Sequence, residues 1–276
     1  MPVIPTRLLS DGRSIPVIGF GTHPMNDAET ETAVASALDL GYRLIDTASL
    51  YRNEVGVGRG IGRSGIDRSE IFVTTKLRGG DQGLDETKSG LRDSLERLNL
   101  DYVDLFLIHW PMPSVNKYVD AWRAMIELRE EGLTRSIGVS NFNEAHLDRL
   151  SSETGVLPVI NQIELHPAWN QSPLRQVDAH LDIVTQSWSP IGRGIALEMY
   201  PPVADAALTH GVTPAQVVLR WHLQLGTLPI PKASSIEHQG ENLDVFNFEL
   251  SPAEMTAFDS ITQERMDEDP EVFVEL

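Results

Sequence analysis

A chain of 276 residues with 40 Asp+Glu against 22 Lys+Arg carries a formal charge of −18 and has no cysteine. That acidity argues against nucleic acid or an anionic membrane as partner. The missing thiols exclude disulfides, Cys-held zinc, iron–sulfur ligation and a cysteine nucleophile. The hydrophobic fraction of 41% supports a large core; no run of eighteen apolar residues occurs, and Met1–Ser10 lacks the apolar stretch of a signal peptide. The expectation is a cytoplasmic protein with no nucleic-acid, membrane or metal partner.

Taken in order, Arg7–Ile15 reads as a hairpin around Asp11-Gly12, and Pro16–Gly19 as the first of eight strand-like runs. A helical pattern over Ala28–Leu40, stopped by Gly41, leads to strand Arg43–Thr47. Helix-like Glu54–Arg59 precedes strand Ile71–Lys76, and a helix over Glu86–Leu98 precedes strand Val103–His109. A helix over Val119–Glu131, stopped by Gly132, precedes strand Ser136–Ser140, and Asn143 suits a following helix start. Strands Val159–Ile163 and Ile183–Ser187 come next, then a helix stop at Gly211, a helix over Thr213–Leu225 stopped by Gly226, and strand Thr227–Pro231. Most strands are continuous apolar runs, as parallel strands buried on both faces require. Eight strands alternating with helices fit a (β/α)8 barrel or a doubly wound sheet. The count of eight favours an α/β TIM barrel, forming one domain over residues 1–276, with the hairpin as a plug over its floor.

Gly60-Ile61-Gly62-Arg63-Ser64-Gly65 matches the letters of the dinucleotide fingerprint G-x-G-x-x-G. That motif needs a strand before it and a helix after it, whereas here the order is reversed. The glycines are expected to end a helix and form a turn, with Gly65 as a left-handed cap. No Rossmann domain is expected.

Asp46, Lys76 and His109 stand at or just before the ends of three successive strands, at intervals of 30 and 33 residues, and Tyr51 lies one short loop beyond the first. Each interval is about one βα repeat, so the set falls on the barrel face where such enzymes carry their chemistry. Singly, each has an ordinary use: a helix cap, a surface lysine, a core histidine, a packing aromatic. Together they form a proton-transfer set. An ammonium lowers the pKa of a neighbouring phenol, Asp46 can hold Lys76 charged, and His109 can orient a carbonyl oxygen toward the tyrosine hydroxyl. With no evident nucleophile, the set requires a hydride from elsewhere.

Gly41–Ala48 with Tyr51 and Asn53-Glu54, then Ile108–Pro111, Gly138–Phe142, Asn161–Glu164 and Pro231–Asn242, resemble successive signatures of the aldo-keto reductases. The likeness runs from about Leu8 to Ile261. Leu133–Asn141, Val217–Gln224 and Trp188 add a resemblance to the bacterial 2,5-diketo-D-gluconate reductases.

The resemblance implies a barrel that binds NADP(H) without a Rossmann domain and reduces aldehydes or ketones, dicarbonyls or keto-sugar acids among them. Tyr51 would be the general acid, Lys76 with Asp46 would tune it, and His109 would orient the carbonyl. Ser140, Asn141 and Gln162 match positions that bond the nicotinamide carboxamide, and Trp188 the one that stacks on its ring. Ser189, Ile191, Gly192 and Arg193 fall in a pyrophosphate loop, where Arg193 is either a clamp or a solvated arginine. Lys232 matches the 2′-phosphate lysine, and Glu241 and Asn242 the adenine-side contacts. His238 stands where relatives carry arginine, so NADPH is expected to be preferred by a reduced margin, with NADH as a weaker second. His23, Arg78 and Trp110 are the candidate substrate residues. Arg78 would meet a substrate anion or point to solvent, and Trp110 would line the pocket or pack as core. The acidic tail Met266–Leu276 would cover or flank the pocket. The expected partner is a small carbonyl compound, and the expected state a monomer. Two alternatives remain: a non-catalytic nicotinamide-binding regulator, and a glycoside hydrolase using Asp46 and Glu164.

Overall fold

A computed structural model describes residues 4–275. Strands β1 (Thr6–Leu8) and β2 (Ser14–Pro16) pair antiparallel around Asp11-Gly12, as the turn signal requires. The barrel strands are β3 (Phe20–Gly21), β4 (Leu44–Asp46), β5 (Phe72–Leu77), β6 (Val103–Ile108), β7 (Thr134–Ser140), β8 (Ile160–Glu164), β9 (Val184–Trp188) and β10 (Leu228–Ile230). All pair parallel in chain order from β3 to β10. Across the seam, the Gly19 and Gly21 N–H groups donate to the Pro229 and Pro231 carbonyls at 3.1 and 3.0 Å, completing the (β/α)8 barrel.

Side chains alternate along each strand. On β6, Leu105 and Leu107 pack with Leu44, Ile160 and Ile230 inside the barrel, while Phe106 and Ile108 pack outward under the helices. Leu9 and Ile15 of the hairpin join the inner cluster, so the hairpin does plug the floor.

The helices include α1 (Asp27–Leu40), α2 (Glu54–Ser64), α3 (Leu84–Leu98), α4 (Tyr118–Glu130), α5 (Glu144–Thr154), α6 (Ser172–His180), α7 (Pro201–His210), α8 (Pro214–Gln224), α9 (Ile236–Leu243) and α10 (Pro252–Ala257). Asn143 caps α5, and Gly41, Gly65 and Gly211 are left-handed C-caps, as expected. Two expectations need correction. The first barrel strand is Phe20–Gly21 rather than Pro16–Gly19, because Pro16 is the last residue of the hairpin. Helix α2 also runs five residues beyond Arg59, so Gly60 and Gly62 lie inside it and only Gly65 terminates it. The glycines of α2 serve contact: a Cβ on Gly56 would sit 2.3 Å from the Asp27 carbonyl oxygen, and one on Gly58 2.1 Å from that of Leu98. The helix therefore packs backbone to backbone against α1 and the end of α3. Among the described residues no helix is long and apolar enough to cross a membrane.

Candidate active site

The inward alternation that places Leu44 and Leu107 in the barrel puts Asp46, Lys76 and His109 at its upper rim, near the strand C-termini. Lys76, 1% exposed, directs Nζ to Asp46 Oδ1 at 2.6 Å, the Thr47 carbonyl at 2.9 Å and the Tyr51 hydroxyl at 3.2 Å. Asp46 accepts a second hydrogen bond, from Gln162 Nε2 across the barrel at 2.7 Å, and the same amide donates to Gln186 Oε1 at 2.7 Å. A buried ion pair needs such supporting bonds to be tolerated.

Tyr51 ends the short 3-10 turn Ser49–Tyr51, which the Ser49 hydroxyl anchors on the Lys76 carbonyl at 3.0 Å. Asn53 locks the following loop, its amide donating to the Thr22 and Met25 carbonyls at 3.0 Å each. Glu54 then accepts bonds from Thr75 and Arg97, tying the start of α2 to β5 and α3. The Tyr51 ring lies 5.8 Å from that of His109 and 4.8 Å from that of His23.

The electrostatics differ from the simple expectation of a lowered phenol. Burial pushes the Tyr51 pKa up; the Lys76 ammonium is the main opposing influence, while Asp46 and Glu275 add to the upward push. The net direction is upward. Burial also works against the charge on Lys76, but Asp46 and Tyr51 outweigh it and hold the ammonium above the ordinary lysine value. Both groups thus keep their protons at neutral pH. Burial and nearby cations lower the pKa of His23.

Above this cluster lies a cavity of about 650 Å³ lined by Tyr51, His109, His23, Trp110, Trp188 and Lys232, among others. Asn141, Gln162, Ser189, Ile191 and Arg193 line it too. Trp188 donates from Nε1 to Asn141 Oδ1 at 2.9 Å, which fixes its ring against the strand ends; Ser140 lies just beneath, donating to the Gln162 carbonyl at 2.7 Å. The loop after β9 turns through positive φ at Ser189, Gly192, Arg193 and Gly194 (49°, 74°, 40° and 90°), a backbone form suited to gathering N–H groups around an anion. Lys232 also lines a groove that continues along α1 past Ala33 and Ser36 to Ser234 and Ile236. A flat ring face, an anion-adapted loop and a lysine along one channel suit the nicotinamide, pyrophosphate and phosphate of a dinucleotide.

Other expected residues lie apart. Arg78 does not line the cavity; its guanidinium reaches Asp81 at 3.4 Å. His238, Glu241 and Asn242 lie on α9, outside the cavity lining; His238 is exposed and Asn242 buried. Glu164 lies in a neighbouring cavity behind Trp188, bonded to His166 at 3.0 Å and to the Met266 N–H at 2.7 Å. It therefore does not face Asp46 across the main cavity as a hydrolase pair would. Gln186, Asp267, Phe273 and Glu275 also belong to the site or its lining, and sequence reasoning missed them individually. The acidity of the tail was the one available signal.

The sequence profile of the Aldo/keto reductase family matches residues 17–263. An aldo-keto reductase of Mycolicibacterium smegmatis is 50% identical over 98% of both chains, and one of Mycobacterium marinum 49% identical over 99% of this chain and 97% of that one. Among solved structures, an aldo/keto reductase from Brucella melitensis superposes with a TM-score of 0.91 at 46% identity, covering 94% of this chain and all of that one. A single-site mutant of Gox0644 in complex with NADPH gives 0.93 at 44% identity over 98% of both chains. The chain belongs to the aldo/keto reductase family of oxidoreductases.

Proposed function

We propose that the protein reduces aldehydes and ketones to alcohols with NADPH, and that Tyr51 donates the proton. The observation that carries this reading is the single Lys76 ammonium bonded to both the Asp46 carboxylate and the Tyr51 hydroxyl beneath a dinucleotide-shaped channel. The NADPH complex of the 44%-identical Gox0644 mutant supports the choice of cofactor. The bound cofactor would supply a hydride to the carbonyl carbon. His109 orients the carbonyl oxygen, and Tyr51 gives its proton to that oxygen as negative charge develops there. Lys76 stabilises the phenolate left behind, and Asp46 keeps Lys76 charged and in place. Asn141, Gln162 and Ser140 would hold the carboxamide and Trp188 the ring face. The loop Ser189–Gly194 with Arg193 would hold the pyrophosphate, and Lys232 the 2′-phosphate. Asn242 and Glu241 would serve the adenine side.

The protein would act as one barrel domain, as a monomer, in the cytoplasm. Its substrates would be those of the subgroup resembling 2,5-diketo-D-gluconate reductase, namely dicarbonyls and keto-sugar acids. Loss of reduced-cofactor absorbance over a panel of carbonyl compounds tests this reading. No turnover on any of them would favour a nicotinamide-binding regulator.

A further inference from the structure

The tail runs over the mouth of the barrel from the loop after β9 to the loop after β5. The Met266 N–H is held by Glu164, Asp267 pairs with Arg193 at 2.7 Å, the Asn143 amide donates to Glu271, and the Phe273 ring lies 4.6 Å from that of Trp110. Glu275, the last described residue, is pressed into the cavity at 3% exposure. One carboxylate oxygen accepts the Gly79 N–H. The other, Oε1, lies 2.7 Å from His109 Nδ1 without the alignment of a hydrogen bond, so both buried atoms lack a hydrogen-bond partner among the described residues.

The geometry points to Glu275 as the residue that selects the substrate. It favours neutral carbonyl compounds bearing a hydroxyl or other donor beside the carbonyl, and it turns away those with an anion in that position. This rests on the carbonyl-reductase reading and narrows it away from keto acids. A buried acceptor without a donor is costly, and a substrate hydroxyl reaching Oε1 removes that cost. An anion brought to about 6 Å from the carboxylate, at an effective dielectric of about 20, is disfavoured by about a hundredfold. The lysines and the arginine of the site offer little relief. Lys76 is engaged by Asp46 and Arg193 by Asp267, while Lys232 lies where the proposed cofactor phosphate binds.

Hydroxyacetone, diacetyl and pyruvate are close in size and differ in carrying a donor, neither a donor nor a charge, or an anion beside the ketone. Steady-state rates with NADPH on all three, for the wild type, Glu275→Gln and Glu275→Ala, read the selection directly. The wild type is expected to favour hydroxyacetone over pyruvate by about tenfold or more in kcat/KM, and both variants to raise pyruvate relative to diacetyl by about tenfold or more, less so in high salt. The two variants remove the charge in different ways, so agreement between them ties the effect to the charge and not to the fit of the tail. A pyruvate-to-diacetyl ratio the same in all three proteins overturns the proposal while leaving carbonyl reduction intact. A wild type that oxidises NADPH with none of these ketones and none of a panel of aldehydes overturns both.

Discussion

Asp46 and Lys76 leave neighbouring parallel strands whose register is fixed by backbone bonds, while Arg193, Asp267 and Glu275 leave a loop and a tail held largely by side chains. The Lys76–Asp46 pair is buried at 0% and 5% side-chain exposure; in the rim pair Arg193 is half exposed. A half-exposed ion pair contributes at most about 1 kcal/mol, whereas losing one member of a buried pair costs about 3–5 kcal/mol. The floor of the site is thus fixed by the fold, and the rim is free to vary with substrate and cofactor.

The sharpest way to break this comparison is at Tyr51. Tyr51→Phe keeps the ring and removes the proton, so turnover should fall by about 10²–10⁴-fold. NADPH affinity, measured by quenching of protein fluorescence, should stay the same. Near-normal turnover with the chemical step rate-limiting would remove Tyr51 as the acid.

Lys76→Met should come next. Because the Tyr51 pKa already lies above the ordinary phenol value of 10.0, reduction should hold steady from neutral pH toward that value, and alcohol oxidation should climb with pH as phenolate forms. Lys76 is the main influence pulling that pKa down, so its loss should move the oxidation limb to still higher pH and cut turnover by about tenfold or more. An unshifted limb would place Lys76 outside the relay.

At the rim the effects should be smaller and salt-sensitive. His238→Arg should tighten NADPH about three- to tenfold and leave NADH unchanged, since an exposed guanidinium keeps only part of a charge-assisted bond. Equal changes for the two cofactors would show that α9 does not meet the 2′-phosphate. Asp267→Asn should free Arg193 and tighten NADPH by about two- to fivefold at low salt, with no gain at high salt. Weaker binding instead would mean that the Arg193–Asp267 pair holds the loop closed over the cofactor.

The same contrast governs what the sequence reveals. Asp46, Lys76 and His109 were legible because strand ends one βα repeat apart must fall side by side, and the helices with regular apolar spacing were found to within two residues. Short α6, α9 and α10 leave no signal, and α7 only its stop at Gly211, because few turns give little periodicity. Glu275 was illegible for a stronger reason: it has no element of its own, and its position depends on contacts with Gly79, Met112 and His109 far away in the chain. The Lys76 influence on Tyr51 is legible but the net direction is not, because charge neighbours follow from spacing whereas depth of burial does not.

The glycines of α2 set a tolerance. Tyr51 sits three residues before that helix, and the helix touches α1 and α3 with bare backbone, where a single methyl group on Gly58 would meet the Leu98 carbonyl at 2.1 Å. Accommodating it would move the helix outward by about an ångström or more, and the turn bearing the hydroxyl with it. A misplacement of about 1 Å costs about 10²-fold in rate. The alignment of the Tyr51 hydroxyl is therefore gauged by side chains that are missing, on a surface remote from the cavity.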